Sequence, residues 1–401
     1  MILTAPERPK SGSSVKTLNS IELFAGAGGL SLGIHAAGFQ HRQLVEFNQF
    51  AVETLRENSQ RLLNLSPDGV TKADVATVDF SQYVGQLDLL AGGPPCQPFS
   101  MAGKSVGQND SRNMFPIFLD IASQVLPKSI LIENVRGLLR KKFEDYFRYI
   151  LLRTTYPLCR HSLDEHWTSH YVRLMSIRES EFLDSESYNV TYQLVDAADY
   201  GIAQRRERVI ITAYRRDLGI APGYLQQSHS RDSLYYDQNV GGTYWTSRNI
   251  QSRSQGLPIE LSSMRGGRQE MLLTCKPWKT VRDVIGDLPS AVDRGECPLF
   301  PNHVQHPGAR VYECHTGSSL DMPAKALKAG THGTPGGENM IRLEEGGVRY
   351  FTTREAARIQ AFPDDWVFHG TWGACIKQLG NAVPVELARK FASEIYLNLT
   401  K

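Results

Sequence analysis

Cys96, Glu133, Arg206 and Arg208 are the residues of this 401-residue chain whose types and surroundings suit covalent chemistry. Cys96 lies in Gly92-Gly93-Pro94-Pro95-Cys96-Gln97-Pro98-Phe99-Ser100, directly after the apolar run Leu87 to Ala91. A short apolar run ending in glycines reads as a buried strand that feeds a loop. Pro94 and Pro95 fix φ and press the residues before them into extended conformations, so the direction of the sulfur is narrowly set. Taken alone, a cysteine is more often a small buried hydrophobe than a nucleophile. Glu133 follows a second apolar run, Ser129 to Ile132, and in a parallel sheet it emerges on the same edge as Cys96. By itself such a glutamate is as readily a helix cap or an ion-pair partner. In Gln204-Arg205-Arg206-Glu207-Arg208 the alternate residues Gln204, Arg206 and Arg208 share one side of an extended segment. Guanidinium groups on that side can bind phosphate, hold Glu133 or stabilise charge on a ring carbonyl. Positive charge also activates a thiolate, which is both a good nucleophile and a good leaving group.

A second constellation suits a nucleotide-like cofactor. Phe24-Ala25-Gly26-Ala27-Gly28-Gly29-Leu30 joins an apolar strand to a helix, where glycines admit a ligand and the helix N-terminus offers free N–H groups. Glu46 ends the next strand and can grip ribose hydroxyls, Phe47 can lie against an adenine face, and Asp74 can accept from an exocyclic amine. Asp79 competes for that last role but lies closer to the following strand. No lysine follows the glycines to hold a phosphate, so S-adenosylmethionine fits better than a dinucleotide.

Positioning these residues requires a mostly parallel sheet wrapped by helices on both faces, a doubly wound α/β fold. Strands are expected at Ser20 to Phe24, Gln43 to Glu46, up to Ala91, Ser129 to Ile132 and Val209 to Ala213. Helices are expected at Leu30 to Ala37, Ala51 to Leu63, Phe115 to Leu126, Thr353 to Gln360 and Val385 to Leu397, the last after a turn at Leu379-Gly380-Asn381. Beyond Asp217 the periodicity fades into Gly, Ser, Arg and aromatic residues. The division that follows is a flexible tail at 1–17, a catalytic and cofactor-binding domain at 18–216, a smaller loop-rich domain at 217–373, and a segment at 374–401 that returns to the first domain.

Composition narrows the class. With 41% hydrophobic and 21% charged residues, the chain has material for a real core. No apolar run approaches the roughly 18 residues that span a bilayer, and the first residues lack a signal-peptide core. Six scattered cysteines without a CxxC pair fit a reducing cytoplasm. The net charge is only +2, but Arg205 to Arg282 holds thirteen Lys/Arg against six Asp/Glu, interleaved with Tyr235, Tyr236, Tyr244 and Trp245. That mixture suits loops that follow a phosphate backbone. Cys297, His303, His306, Cys314 and His315 match no tetrahedral spacing, so no metal site is expected.

The ordered blocks FAGAGG at Phe24 to Gly29, Glu46, Asp74, GGPPCQPFS at Gly92 to Ser100, ENV at Glu133 to Val135, QRRER at Gln204 to Arg208, TREAARIQAFPDDW at Thr353 to Trp366 and GNAVPV at Gly380 to Val385 resemble the cytosine-5 DNA methyltransferases of bacterial restriction-modification systems. The resemblance runs from about Ser20 to Val385. It implies a Rossmann-like S-adenosylmethionine-dependent methyltransferase with a target-recognition domain, acting on a cytosine flipped out of duplex DNA. Cys96 would attack carbon 6, Glu133 would hold or protonate ring nitrogen 3, Arg206 and Arg208 would supply positive charge, and Arg208 would meet the ring carbonyl. Phe24, Gly26, Gly28, Gly29, Leu30, Glu46, Phe47, Asp74, Val75 and Pro95 would surround the cofactor, with Asn381 and Val383 closing over it. Asp110-Ser111-Arg112 would belong to a loop closing over DNA, and Ser100, Arg112 and Gln204 would touch DNA. A partner endonuclease without a stable complex, a cytoplasmic bacterial setting and a monomer are further implications.

The chain departs from the family at Ala326-Leu327, where a Thr-Leu pair is usual, which removes a hydroxyl expected near a phosphate. Arg354 and Arg358, at helical spacing with Ala357 and Ala361, are expected to form structural salt bridges. Two other readings compete: a relative that methylates RNA, and a DNA-binding regulator without catalysis. The length of the recognition region opposes the first, and retention of Cys96, Glu133 and the arginine block opposes the second.

Overall fold

The computed structural model describes residues 17–95, 113–162, 164–251, 274–311, 313, 316–330 and 337–401. They form two compact bodies, one of residues 17–195, 207–224 and 388–401, the other of 196–206 and 225–387. Among the described residues no helix is long and apolar enough to cross a membrane.

The first body is built on a seven-stranded sheet of order β3-β2-β1-β4-β5-β7-β6. Its strands are β1 (Asn19–Leu23), β2 (Gln40–Glu46), β3 (Val70–Lys72), β4 (Leu89–Gly92), β5 (Ser129–Val135), β6 (Tyr188–Asp196) and β7 (Glu207–Arg215). β1 pairs in parallel with β2 and β4, β2 with β3, and β4 with β5, whereas β7 runs antiparallel to β5. The central strands are almost continuously apolar because helices cover both faces. Ile21, Leu23, Leu90, Ile130, Ile132 and Ile211 are fully buried. The helices are α1 (Gly29–Ala36), α2 (Gln49–Leu63), α3 (Phe115–Val125), α4 (Glu144–Thr155) and α5 (Trp167–Met175). In α3, Phe115, Phe118, Leu119, Ala122 and Val125 repeat at helical spacing and bury one face against the sheet.

β5 extends three residues past the expected Ile132. Its partner β7 continues the antiparallel ladder as far as the Val135–Arg208 pair, so Glu133 lies within a paired strand rather than after one. The last helix, α8 (Val385–Thr400), supplies the first body from Ala388 onward. There Tyr396 packs edge-on against Phe39 with ring centres 5.4 Å apart, and Asn398 donates to the Tyr214 hydroxyl at 3.1 Å.

The second body relies on side chains to hold its backbone. Its described strands are the short pairs His229–Ser230 with Lys276–Pro277 and Met340–Arg342 with Val348–Tyr350. Helix α6 (Thr353–Ile359) starts at a capping box of Thr352 and Glu355. Arg358 forms the expected salt bridges, to Asp364 at 2.7 Å and Asp287 at 2.5 Å. Arg354 differs: its guanidinium donates to the carbonyls of Pro301, Pro363 and Trp366. Residues 379–381 are not a turn but the end of helix α7 (Trp372–Asn381). Gly380 serves close packing there, since a Cβ would lie 2.3 Å from the Ala329 nitrogen.

Candidate active site

Glu133 on β5 and Arg208 on β7 face the same side of the antiparallel pair as diagonal neighbours, because Glu133 pairs with Ile210 and Val135 with Arg208. The Glu133 Oε1 and Arg208 Nε atoms are 2.6 Å apart, with the two side chains only 10% and 13% exposed. Arg208 is further oriented by donating through Nη1 to the Glu207 carbonyl at 2.7 Å. The result is a nearly buried carboxylate and guanidinium pair at the edge of the sheet where β4 also ends.

The loop that leads to Cys96 is tied to this pair. Asn134, next to Glu133, donates from its buried amide to the Pro94 carbonyl at 3.1 Å. Its own oxygen accepts from the Val135 N–H at 2.8 Å, which fixes the amide. Gly93 lies so close to the carboxylate that an added Cβ would sit 3.3 Å from Glu133 Oε2. Pro94 and Pro95 therefore leave β4 beside Glu133. Cys96, Ser100 and Arg112 lie outside the described residues, as does the stretch between them.

The cofactor-binding candidates gather after the C-terminal ends of β1 and β2. Phe24, Gly26 and Gly28 adopt φ of 58°, 56° and 87°, a left-handed path that favours glycine at two of the three. Glu46 holds this turn with both oxygens, accepting from the Gly26 N–H at 2.8 Å and the Asn48 N–H at 2.7 Å. Beside it a cleft of about 490 Å³ is lined by Phe47, Asn48, Gln49, Lys72, Ala73 and Asp74. Phe47 is 73% exposed, an apolar residue open to solvent. Asp74 caps a short turn through the Ala76 N–H at 3.0 Å, and Val75 is buried behind it. Asp79 is turned to Ser81 and does not line the cleft. Asp74 and the exposed Phe47 ring in the cleft, with Glu46 and the glycine turn beside it, fit a ligand with an adenine and a ribose. Gly28, Gly29 and Leu30 are buried at the head of α1.

Beneath the turn runs a buried polar chain that the motif reading overlooked. Ser31 on α1 donates to Glu22 Oε2 at 2.7 Å, its carbonyl pairs with His41 Nε2 at 2.8 Å, and His41 Nδ1 meets Ser20 at 3.0 Å. Burial pushes the Glu22 carboxyl up to about 8 and pulls His41 down to about 4. The sequence signal was a charged residue inside the apolar strand Asn19–Leu23.

The QRRER block does not present its side chains as one group. Arg206, expected to supply positive charge with Arg208, has backbone carbonyls as its partners. Arg206 is 2% exposed and donates to the carbonyls of Leu327 at 3.1 Å, Gly380 at 2.8 Å and Ala382 at 3.0 Å. Gln204, also fully buried, accepts the Leu327 N–H at 3.1 Å. Arg205 pairs with Asp196 and lies over the Trp278 ring at 4.8 Å. Asn381 is exposed and Val383 buried in the second body. His303 is engaged by Thr352 and the Pro289 carbonyl, and among the described residues no His/Cys/Asp/Glu group could hold a metal.

Comparison with known proteins shows the family. The family model of C-5 cytosine-specific DNA methylase matches residues 18–154 and 177–397. The chain is 32% identical to the Type II methyltransferase M.Eco47II of Escherichia coli over 96% of its length and 79% of that protein. It is 30% identical to the Type II methyltransferase M.NgoMIV of Neisseria gonorrhoeae over 95% of its length and 98% of that protein. The structure of S. pombe Dnmt2 methyltransferase aligns with a TM-score of 0.56 at 18% identity, covering 95% of this chain and 99% of that one. Entamoeba histolytica methyltransferase EhMeth gives 0.53 at 16% identity, covering 96% and 99%. These two likenesses show the same fold, a mostly parallel sheet wrapped by helices. The chain belongs to the C-5 cytosine-specific DNA methylase family and is a C-5 cytosine DNA methyltransferase.

Proposed function

We propose that this enzyme methylates one cytosine within a specific duplex DNA sequence through a covalent Cys96 adduct, as the modification enzyme of a restriction-modification system. The observation that carries this reading is the Glu133–Arg208 pair with the Pro94 carbonyl and Gly93 fastened beside it, two and three residues before Cys96. The reacting face of cytosine is closed within the base stack, so the base must leave the duplex first. The Cys96 thiolate then bonds to carbon 6. Electrons move towards ring nitrogen 3, where Glu133 supplies a proton or a hydrogen bond, and Arg208 donates to the ring carbonyl. Carbon 5 becomes nucleophilic. When bound, S-adenosylmethionine supplies the electrophilic methyl group that carbon 5 accepts. A solvent water takes the proton from carbon 5, the electrons of that C–H bond form the carbon 5–carbon 6 double bond, the carbon 6–sulfur bond breaks to release the Cys96 thiolate, and the nitrogen 3 proton returns to Glu133.

Phe24, Gly26, Gly28, Gly29, Leu30, Glu46, Phe47, Asp74, Val75 and Pro95 would hold the cofactor, with Asn381 and Val383 completing its site. Ser100 and Arg112 would touch DNA, and the second body would read sequence. The names of the Type II methyltransferase relatives support the restriction-modification setting. An endonuclease as functional rather than physical partner and a monomeric cytoplasmic enzyme belong to the same proposal. Bisulfite sequencing of plasmid DNA from cells expressing the chain should show one cytosine context protected from conversion. Complete conversion throughout, with methyl label appearing in tRNA instead, would overturn the reading.

A further inference from the structure

Leu327 has no regular secondary structure around it, yet both of its backbone groups are held by side chains from one strip of chain. Gln204 accepts its N–H, and Arg206, two residues later, donates to its carbonyl. The neighbouring backbone is fixed in the same way. Ala324 exchanges hydrogen bonds with Ala203 and Arg205, the Lys325 N–H reaches the Ser318 hydroxyl, and Asn339 holds both groups of Lys328 and the Gly330 carbonyl. Residues 324–330 are thus a rigid ribbon at the place where the family's usual threonine is missing.

The same Arg206 guanidinium also donates to the carbonyls of Gly380 and Ala382, the residues on either side of Asn381. A second contact reinforces this one, because Gly380 packs so closely that a Cβ would lie 2.4 Å from the Lys328 carbonyl carbon. Arg206 is itself fixed by its N–H on Asp196 at 3.0 Å and by its carbonyl accepting from Ala197 at 3.0 Å. One buried planar cation therefore ties the Leu327 ribbon to the Asn381 segment. A planar fork holds several acceptors in fixed directions, which a single ammonium cannot do.

We infer that Arg206 and Gln204 are positioning residues that couple target recognition to cofactor binding, the ribbon and the Asn381 segment moving as one piece. The inference rests on the functional reading above, which gives the second body to DNA and Asn381 to the cofactor. Two ligands that each order the same piece must strengthen one another, and reciprocally.

Calorimetry on the full chain tests this with S-adenosylhomocysteine and a duplex carrying the cytosine context found by bisulfite sequencing, each alone and together. In the wild type, each ligand should tighten the other on the order of tenfold. Arg206→Lys should bring that factor to about one, with smaller changes in either affinity measured separately. Gly380→Ala, which forces apart the backbone contact at Lys328–Ala329, should produce the same loss and decides the question if Arg206→Lys folds poorly. Coupling that survives in both variants would overturn the inference. So would its absence from the wild type, or an equal fall in both separate affinities and in melting temperature, the mark of a merely structural residue. A chain that protects no cytosine from bisulfite would instead fail the functional reading, before any coupling is measured.

Discussion

Arg206 and Arg208 stand two residues apart in one motif, carry the same group and are both nearly buried, yet their partners differ in kind. Arg208 meets the Glu133 carboxylate, and Arg206 meets three neutral carbonyls. The boundary between the two bodies falls between Arg206 and Glu207. A cation among carbonyls holds geometry, because it gathers separate stretches of backbone around one planar group. A cation against a carboxylate keeps two opposite charges ready for a polar reacting group. Alternation in an extended strand indicates which side chains share a side, but it does not reveal what awaits each of them.

The sharpest way to break this contrast is at Glu133. Glu133→Gln removes the carboxylate proposed to act at ring nitrogen 3 while preserving shape, and methyl transfer should fall on the order of 10²–10⁴-fold with DNA affinity retained, as a gel-shift assay beside a methylation assay would show. Arg208→Lys should cost on the order of 10²-fold in kcat/KM with little change in melting temperature. The corresponding removal at the other site, Arg206→Ala, should reverse that pattern. It strands buried carbonyls and should destabilise by about 2–5 kcal/mol in denaturant titration. Equal melting losses for the Arg206 and Arg208 variants would erase the distinction between them. Gly93→Ala crowds Glu133 Oε2 and should reduce kcat about tenfold by displacing the carboxylate, without weakening cofactor binding.

The buried chain beneath the glycine turn acts on stability alone, away from the contrast of the two arginines. Burial lifts Glu22 from 4.5 to about 8, so the protonated carboxyl contributes its full stability below pH 4.5 and loses it as pH rises through 8. Glu22→Gln should therefore melt higher than the wild type at pH 9 and differ little at pH 5. His41 acts on the acid side, its contribution complete above pH 6.5 and lost as pH falls through about 4. A wild-type alkaline limb as flat as that of the Gln variant would contradict the protonation assigned to Glu22.

The centre of the sheet body was legible in sequence because β4 and β5 are short apolar runs and α1 to α3 keep a clean period, whereas α4, α5 and the mixed polar strand β6 carry no such signal and were not expected. The expected starts and ends fall close to those observed for β1, β2 and α1 to α3. Glu46 and Asp74 were legible because they end recognisable elements. Asn134 was read only as part of ENV, since a hydrogen bond to the Pro94 carbonyl depends on the pairing of β4 with β5. Gly380 read as a turn because glycine punctuates chains, but here it makes room for the peptide of residues 328–329, a reason no local pattern carries. The second body was illegible for a related cause. Its backbone is held by Gln204, Arg206, Asn339 and Arg354 across long separations, and such partners leave no periodic trace.

The central claim, a covalent cytosine adduct formed beside Glu133 and Arg208, is tested most directly by trapping it. Duplex DNA prepared with 5-fluorocytosine, incubated with the chain and S-adenosylmethionine, should give a complex that survives denaturation, because fluorine at carbon 5 cannot leave as a proton does. Mass spectrometry of the digested complex should place the nucleotide on Cys96. Trapping that fails in an enzyme still able to methylate ordinary DNA, or a nucleotide found on another residue, would contradict the account.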